Sequence, residues 1–438
     1  MYIKTKVKVI LTASRKGEPT WPYIDYDYEK RGGDILFKLE ENFPDIAFSK
    51  AIFHSIEEAK ETLEAEDVDG YLIFLTTLWT GIPEFMALNY HPVIIADDLY
   101  SGSGDFLSVH SLVKREKLPV ALIASSNFED IIDRVKLFPV MKEMKGSRIL
   151  AIYDEKSFFT CDEIIDNAKQ IFGIEVLRMK SEEVISYYNE IDVNKAEKIK
   201  TRWIKEAMRV VEPSEDEILK SAKLYLAIKE AMSDKNADAV TVDCLPLCYE
   251  NKLPAYPCLC FFQLNNDGIP GVCEADIDSA TTQLLIRYLT GRPGYISDPV
   301  IDIAKDQIIY AHCVATNRVY GPDGPSNPYI IRSHAEDRKG ASVQSLMPLG
   351  EITTTIKVSL LNKAFAIHQG KTIANVDEDR ACRTKLAVEA DTKKILANYH
   401  FDLFIWHLVT GYGDYRQQFI DLATLYGLEV FEQDKQVI

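Results

Sequence analysis

Apolar and polar positions follow two rhythms along this chain. In the first 125 residues, short apolar runs are separated by amphipathic stretches. Val7-Lys-Val-Ile-Leu-Thr, Asp69-Gly-Tyr-Leu-Ile-Phe-Leu, His91-Pro-Val-Ile-Ile-Ala and Leu118-Pro-Val-Ala-Leu-Ile-Ala read as strands, and 55–65 reads as a charged amphipathic helix. Continuous apolar strands are those covered on both faces, so the alternation predicts a parallel, doubly wound sheet. A helix over Phe128 to Met144 ends this first domain, residues 1–145.

The same rhythm resumes over residues 146–292. Ser147-Arg-Ile-Leu-Ala-Ile-Tyr, Ile174-Glu-Val-Leu-Arg-Met and Ala237-Asp-Ala-Val-Thr-Val are strands. A helical region from about Asn194 to Ser233 breaks at Glu212-Pro-Ser-Glu-Asp-Glu, a helix-start signal. Pro257-Cys-Leu-Cys-Phe-Phe reads as a helix start or a strand, and a helix covers Ala280 to Thr290. From Arg292 the rhythm changes. Short strands such as Gln307-Ile-Ile-Tyr-Ala-His-Cys, Tyr329-Ile-Ile-Arg and Glu351-Ile-Thr-Thr-Thr-Ile-Lys-Val alternate with Gly, Pro, Asp and Asn turns. Residues 293–438 are therefore expected to form a β-rich antiparallel domain with a closing helix, Tyr415 to Tyr426. The expected fold class is α/β: two doubly wound domains, then this β-rich domain.

Charge narrows the possible partners. With 50 Lys and Arg against 67 Asp and Glu, the formal net charge is −17. Phosphate-backbone binding needs clustered cations, so nucleic acid is not expected as a partner. The N-terminal residues alternate charged and apolar positions and do not resemble a signal peptide. No apolar run approaches the length of a membrane helix. A cytoplasmic protein that does not engage membranes is expected. The eight cysteines lack paired zinc-knuckle spacing, and those flanking apolar runs read as small hydrophobes.

Three places could carry chemistry. In Cys273-Glu-Ala-Asp-Ile-Asp, Glu274 and Asp276 stand between an apolar stretch and a helix. In an extended segment both would point the same way, beyond a strand's carboxyl end where α/β sheets collect ligands. Hard oxygen donors of this kind suit Mg2+ or Mn2+. Asp278 is expected to cap the helix. The histidines of the last domain come second: His312 ends a strand, His334 lies in the charged cluster Arg332, Glu336, Asp337, Arg338 and Lys339, and His407 lies in Ile405-Trp-His-Leu-Val-Thr-Gly-Tyr-Gly-Asp. A solvated hairpin explains the charged cluster as well as a binding role does. Third, Ser101-Gly-Ser-Gly-Asp-Phe-Leu reads as a tight turn. No P-loop, nucleophile elbow or zincin motif is present.

The segments Leu264-Asn-Asn-Asp-Gly-Ile-Pro-Gly-Val-Cys-Glu-Ala-Asp-Ile-Asp-Ser-Ala, Ser333-His-Ala-Glu-Asp-Arg-Lys-Gly-Ala-Ser-Val-Gln and Trp406-His-Leu-Val-Thr-Gly-Tyr-Gly-Asp resemble signatures of the L-fucose/L-arabinose isomerase superfamily. The resemblance covers roughly residues 235 to 430. It implies two Rossmann-like domains, a β-rich C-terminal domain, and aldose–ketose isomerisation of a free sugar with Mn2+ (or Mg2+). It also implies a trimeric or hexameric homo-oligomer. By the same resemblance, Glu274 and Asp276 match the acidic motif that holds the metal and moves the proton, His407 the ligand histidine and His312 an additional one. The second carboxylate falls among Glu250, Asp298 and Asp302. Arg332, His334, Glu336 and Arg338 would then contact sugar hydroxyls. Another reaction on a sugar or sugar acid, such as epimerisation, and non-catalytic carbohydrate binding are the alternatives.

Overall fold

The computed structural model describes residues 4–63 and 67–436. These divide into two compact units: one up to Glu143 together with Gln417–Glu429, the other Met144–Arg416 together with the stretch from Val430.

The first unit is built on a five-stranded parallel sheet. Its order is Ile46–Phe53, Thr5–Thr12, Gly70–Leu75, Val93–Asp97, Val120–Ala124. The three strands Gly70–Leu75, Val93–Asp97 and Thr5–Thr12 carry the core, with Val9, Leu11, Leu72, Ile73, Ile94 and Ile95 fully buried. That burial explains their continuous apolar runs. The helix expected over 55–65 is observed as Ile56–Leu63, and residues 64–66 lie outside the described residues. The stretch expected as one helix from Phe128 is two, Phe128–Val135 and Leu137–Gly146. Ser101-Gly-Ser-Gly is more than a turn: Gly102 caps the helix Ser103–Glu116. A Cβ on Gly102 would sit 2.2 Å from the Leu75 carbonyl oxygen, so only glycine fits this approach of helix to strand.

Most of the helix expected to close the C-terminal domain, Arg416–Leu425, groups with this first unit. Asp421 on it pairs with Arg134 at 2.9 Å, both largely buried.

The second unit holds a four-stranded parallel sheet, ordered Gly271–Cys273, Ala239–Val242, Arg148–Ile152, Glu175–Met179. It also holds a closed antiparallel barrel. Around the barrel run Ile352–Ser359, Leu408–Tyr412, Tyr295–Asp302, Gln307–His312, Thr384–Glu389 and Ala364–Asn375, which pairs back onto Ile352–Ser359. Closure removes the sheet edges that an open antiparallel module would expose. The Pro257 segment resolves as the helix Cys258–Asn266, fully buried. The Pro213-Ser signal is seen as a reciprocal cap between Ser214 and Glu217 at the start of Glu215–Lys235. No helix among the described residues is long and apolar enough to cross a membrane.

Candidate metal centre

The site begins where the strand Gly271–Cys273 runs out. Glu274 and Ala275 both adopt left-handed backbone, φ 64° and 52°. Neither is glycine, and such conformations cost about 1–3 kcal/mol each unless the surroundings enforce them. Here the Ala275 amide bonds the Val242 carbonyl (2.9 Å), which pins the turn to the neighbouring strand. The extended segment expected from sequence is therefore absent, and Glu274 and Asp276 do not point the same way. They hold opposite edges of one imidazole instead. Asp276 Oδ2 accepts from His407 Nδ1 at 2.9 Å, while Glu274 Oε1 lies 3.7 Å from His407 Nε2.

Asp276 is fully occupied. It caps the helix Ile277–Thr290 by accepting from the Ser279 amide (2.8 Å), and Oδ2 also accepts from Ser279 Oγ (2.6 Å) and Lys357 Nζ (2.8 Å). The expectations that Asp276 ligates metal and that Asp278 is the cap are both corrected. Asp278 instead accepts from the Leu360 amide. Burial pushes the Asp276 carboxyl up, but Lys357 and His407 outweigh it and hold it well below the usual range. Burial likewise pulls His407 down, and Asp276 with Glu274 overrides it, pushing His407 up to about 9. Burial drives Asp278 up to about 7 against the field of Lys357.

Two barrel strands complete the cluster. Asp298, on Tyr295–Asp302, places Oδ1 3.4 Å from His407 Nε2. His312, at the end of Gln307–His312, places Nε2 3.8 Å from Glu274 Oε1. Asp298 Oδ1, His312 Nε2 and His407 Nε2 are buried and have no hydrogen-bond partner among the described residues. Ligating atoms of Asp298, His312 and His407 lie within 4.8 Å of one another, as do those of Cys273, Glu274 and His312. Buried polar atoms are nearly always satisfied, so several orphans aimed at one point are the signature of a missing ligand. Carboxylate oxygens with imidazole nitrogen form a donor set for a divalent metal ion.

The two histidines differ. Asp276 accepts from His407 Nδ1, so the proton a metal would displace from His407 is the one on Nε2, and the lone pair freed there faces the cluster. His312 Nδ1 instead accepts from the Cys313 amide at 2.9 Å. A neutral His312 therefore carries its proton on Nε2, facing the same point.

The remaining expected residues lie elsewhere. Glu250 is exposed and pairs with Lys252 at 2.7 Å. Asp302 shapes a turn, accepting from the Ala304 amide and Gln307 Nε2. Arg332 Nε donates to both Glu212 oxygens at 2.9 Å, and another guanidinium nitrogen donates to Gln344. Glu336 accepts from Tyr249, Arg338 reaches Asp379 at 3.4 Å, and His334 stacks on Tyr256 beside Asp337. This charged cluster satisfies itself.

Sequence reasoning missed three contributors. Lys357 is 3 % exposed in the barrel strand Ile352–Ser359; a lone cation inside an apolar and Thr-rich strand was its signal. Asp243 follows the strand Ala239–Val242 and is pushed up to about 6 by burial, by Glu274 and by Asp154. A carboxylate at a strand's carboxyl end was readable there. Phe159 stacks on His407 (4.7 Å between ring centres) and meets Trp406 edge-on. Of the cysteines, Cys258 and Cys260 are buried helix residues, and Cys244 and Cys273 face each other with sulfurs 3.2 Å apart. No protein-family model matches the chain, and no curated protein matches it as a relative.

Proposed function

We propose that the chain is a metal-dependent aldose–ketose isomerase acting on a free sugar, a divergent relative of the L-fucose/L-arabinose isomerases. The observation that carries this reading is His407 Nε2 lying 3.7 Å from Glu274 and 3.4 Å from Asp298, with His312 Nε2 3.8 Å from Glu274 and within 4.8 Å of the donor atoms of Asp298 and His407. Glu274, Asp298 and His407 would hold Mn2+ or Mg2+. A cation held there would supply positive charge that stabilises the negative charge developing on the sugar.

This chain's own groups do the rest. Aldose–ketose exchange takes a proton from C2 and returns it at C1. Glu274 and Asp298 are the carboxylates in place to carry it; His407 and His312 hold Glu274 below its ordinary range against burial, so it is ionised and able to accept. His312 Nε2–H donates to a sugar oxygen. Asp276 keeps His407 in one tautomer and one orientation. Phe159 and Trp406 form an apolar wall that excludes water and packs against sugar C–H groups. The resemblance extends to a trimeric or hexameric assembly.

The test pairs two measurements. Elemental analysis after loading with Mn2+ should give about one ion per chain, the number this single cluster holds. Incubation with aldoses and ketoses in heavy water should place deuterium at C1 or C2, read by NMR. Bound metal without exchange would favour another sugar reaction or carbohydrate binding. Neither bound metal nor exchange would sink the proposal.

A further inference from the structure

The second unit contains a cavity of about 490 Å3 that shares no residue with the metal cluster. Its polar lining includes Arg202, Arg318, Gln263, Asn266 and Asn327, with Phe262 and Tyr329 among the apolar residues. Its volume is that of a site for a small organic molecule.

The hydrogen-bond inventory of the lining says what kind. Asn266 is 6 % exposed, and its Oδ1 accepts from Thr316 Oγ1 (2.6 Å) and the Asn317 amide (3.0 Å). Its Nδ2 is left to donate and has no partner among the described residues. One Arg202 nitrogen donates to Gln263 Oε1 at 2.8 Å, and one Arg318 nitrogen holds the carbonyls of Pro322 and Gly324. The other nitrogens of both guanidinium groups are uncommitted. On the acceptor side, Asn327 Oδ1 is buried without a partner, and Glu206 is the single acid of the lining. Two guanidinium groups and an amide donate, against the amide oxygens of Asn317 and Asn327, the Ser326 hydroxyl and one carboxylate. Several donors around one space match the many acceptor oxygens of a phosphate, and arginine matches it best. The leftover acceptors suit hydroxyl groups.

We propose that this cavity binds a phosphorylated polyol, its phosphate on Arg202, Arg318 and Asn266 Nδ2 and its hydroxyls on Asn327 Oδ1 and Glu206. The site stands whether or not the metal cluster is an isomerase, because the two have no residue in common.

Calorimetric titration of the full chain, stripped of metal with a chelator, tests it with ribose 5-phosphate, inorganic phosphate and ribose. Both phosphate compounds should bind, ribose 5-phosphate more tightly, and ribose should give no heat. Asn266→Asp keeps the shape and replaces the donor with an anion. Arg202→Gln sits on an exposed helix face, where loss of folding is not expected. Each should weaken ribose 5-phosphate about tenfold or more. Glu274→Gln should bind it as the parent does. Ribose binding as tightly as its phosphate, no heat from either phosphate compound, parent-like binding by Arg202→Gln, or loss of binding in Glu274→Gln would each overturn the proposal.

Discussion

Two clusters of charged residues in the second unit behave differently in space. Around Glu274, polar atoms are buried and left unpaired. Around Arg332, charges are as dense, yet nearly every one closes on a neighbour: Arg332 on Glu212 and Gln344, Glu336 on Tyr249, Arg338 on Asp379. The first arrangement leaves buried donors and acceptors free to meet a ligand, and the second satisfies its own charges. Charge density therefore does not mark a site; unsatisfied buried charge does.

The sharpest way to break this contrast is Asp276→Ala. It removes the counter-charge from Lys357, 3 % exposed, and frees His407 to turn. A loss of about 3–5 kcal/mol in denaturant unfolding is expected, because an ammonium is left buried and unpaired. Mn2+ affinity should fall about 10–100-fold in calorimetry. Glu274→Gln should leave the fold standing and weaken Mn2+ binding about 100-fold, roughly 3 kcal/mol; an unchanged affinity would remove Glu274 from the ligand set.

A smaller effect tests whether the metal-free cluster is strained by its own charge. Asp243 is raised to about 6 in the folded chain from an ordinary 3.8, by burial and by Glu274 and Asp154. The folded state then binds the proton more tightly than the unfolded one. This group's contribution to stability is fully present below about pH 4 and is lost as pH rises toward 6. Asp243→Asn should accordingly be more stable than the parent by about 1–3 kcal/mol above pH 6 and equal to it near pH 4. Mn2+ should shrink the difference. Urea unfolding at the two pH values measures it, and a pH-independent difference would contradict the assignment.

In the self-satisfying cluster, Arg332→Ala should cost about 1–2 kcal/mol through its two-pronged contact with Glu212, with Mn2+ affinity unchanged. Arg338→Ala, exposed, should stay within about 0.5 kcal/mol by the same unfolding assay. A drop in sugar exchange after either change, without loss of fold, would return this cluster to the substrate.

Much of the architecture was legible in the pattern of the chain. Apolar runs at Asp69 to Leu75 and His91 to Ala96 announced covered parallel strands, and turn-rich spacing after Arg292 announced antiparallel ones. Barrel closure was not legible, because it rests on the pairing of Ile352–Ser359 with both Leu408–Tyr412 and Ala364–Asn375, and strand pairing leaves no local signature. Glu274, His312 and His407 stood out as chemistry-bearing residues. The direction of each did not. The extended reading of 274–276 failed because two non-glycine residues take left-handed backbone there, enforced by a neighbouring strand.

What the sequence by itself determined is the kind of parts: apolar strand runs, capped helices, a short acidic segment and a few histidines, all properties of spacing within a few residues. What only the tertiary structure decided is which parts meet. Glu274, Asp298, His312 and His407 span more than 130 positions of the chain and gather only because a parallel sheet and a closed barrel deliver their ends to one place. Lys357 and Asp276, 81 positions apart, pair by the same means. Local pattern sets the elements, because backbone hydrogen bonds and side-chain periodicity act over a turn or a strand. Burial and the absence of a partner belong to the assembled fold, and here they separate the candidate site from a charged cluster that satisfies itself.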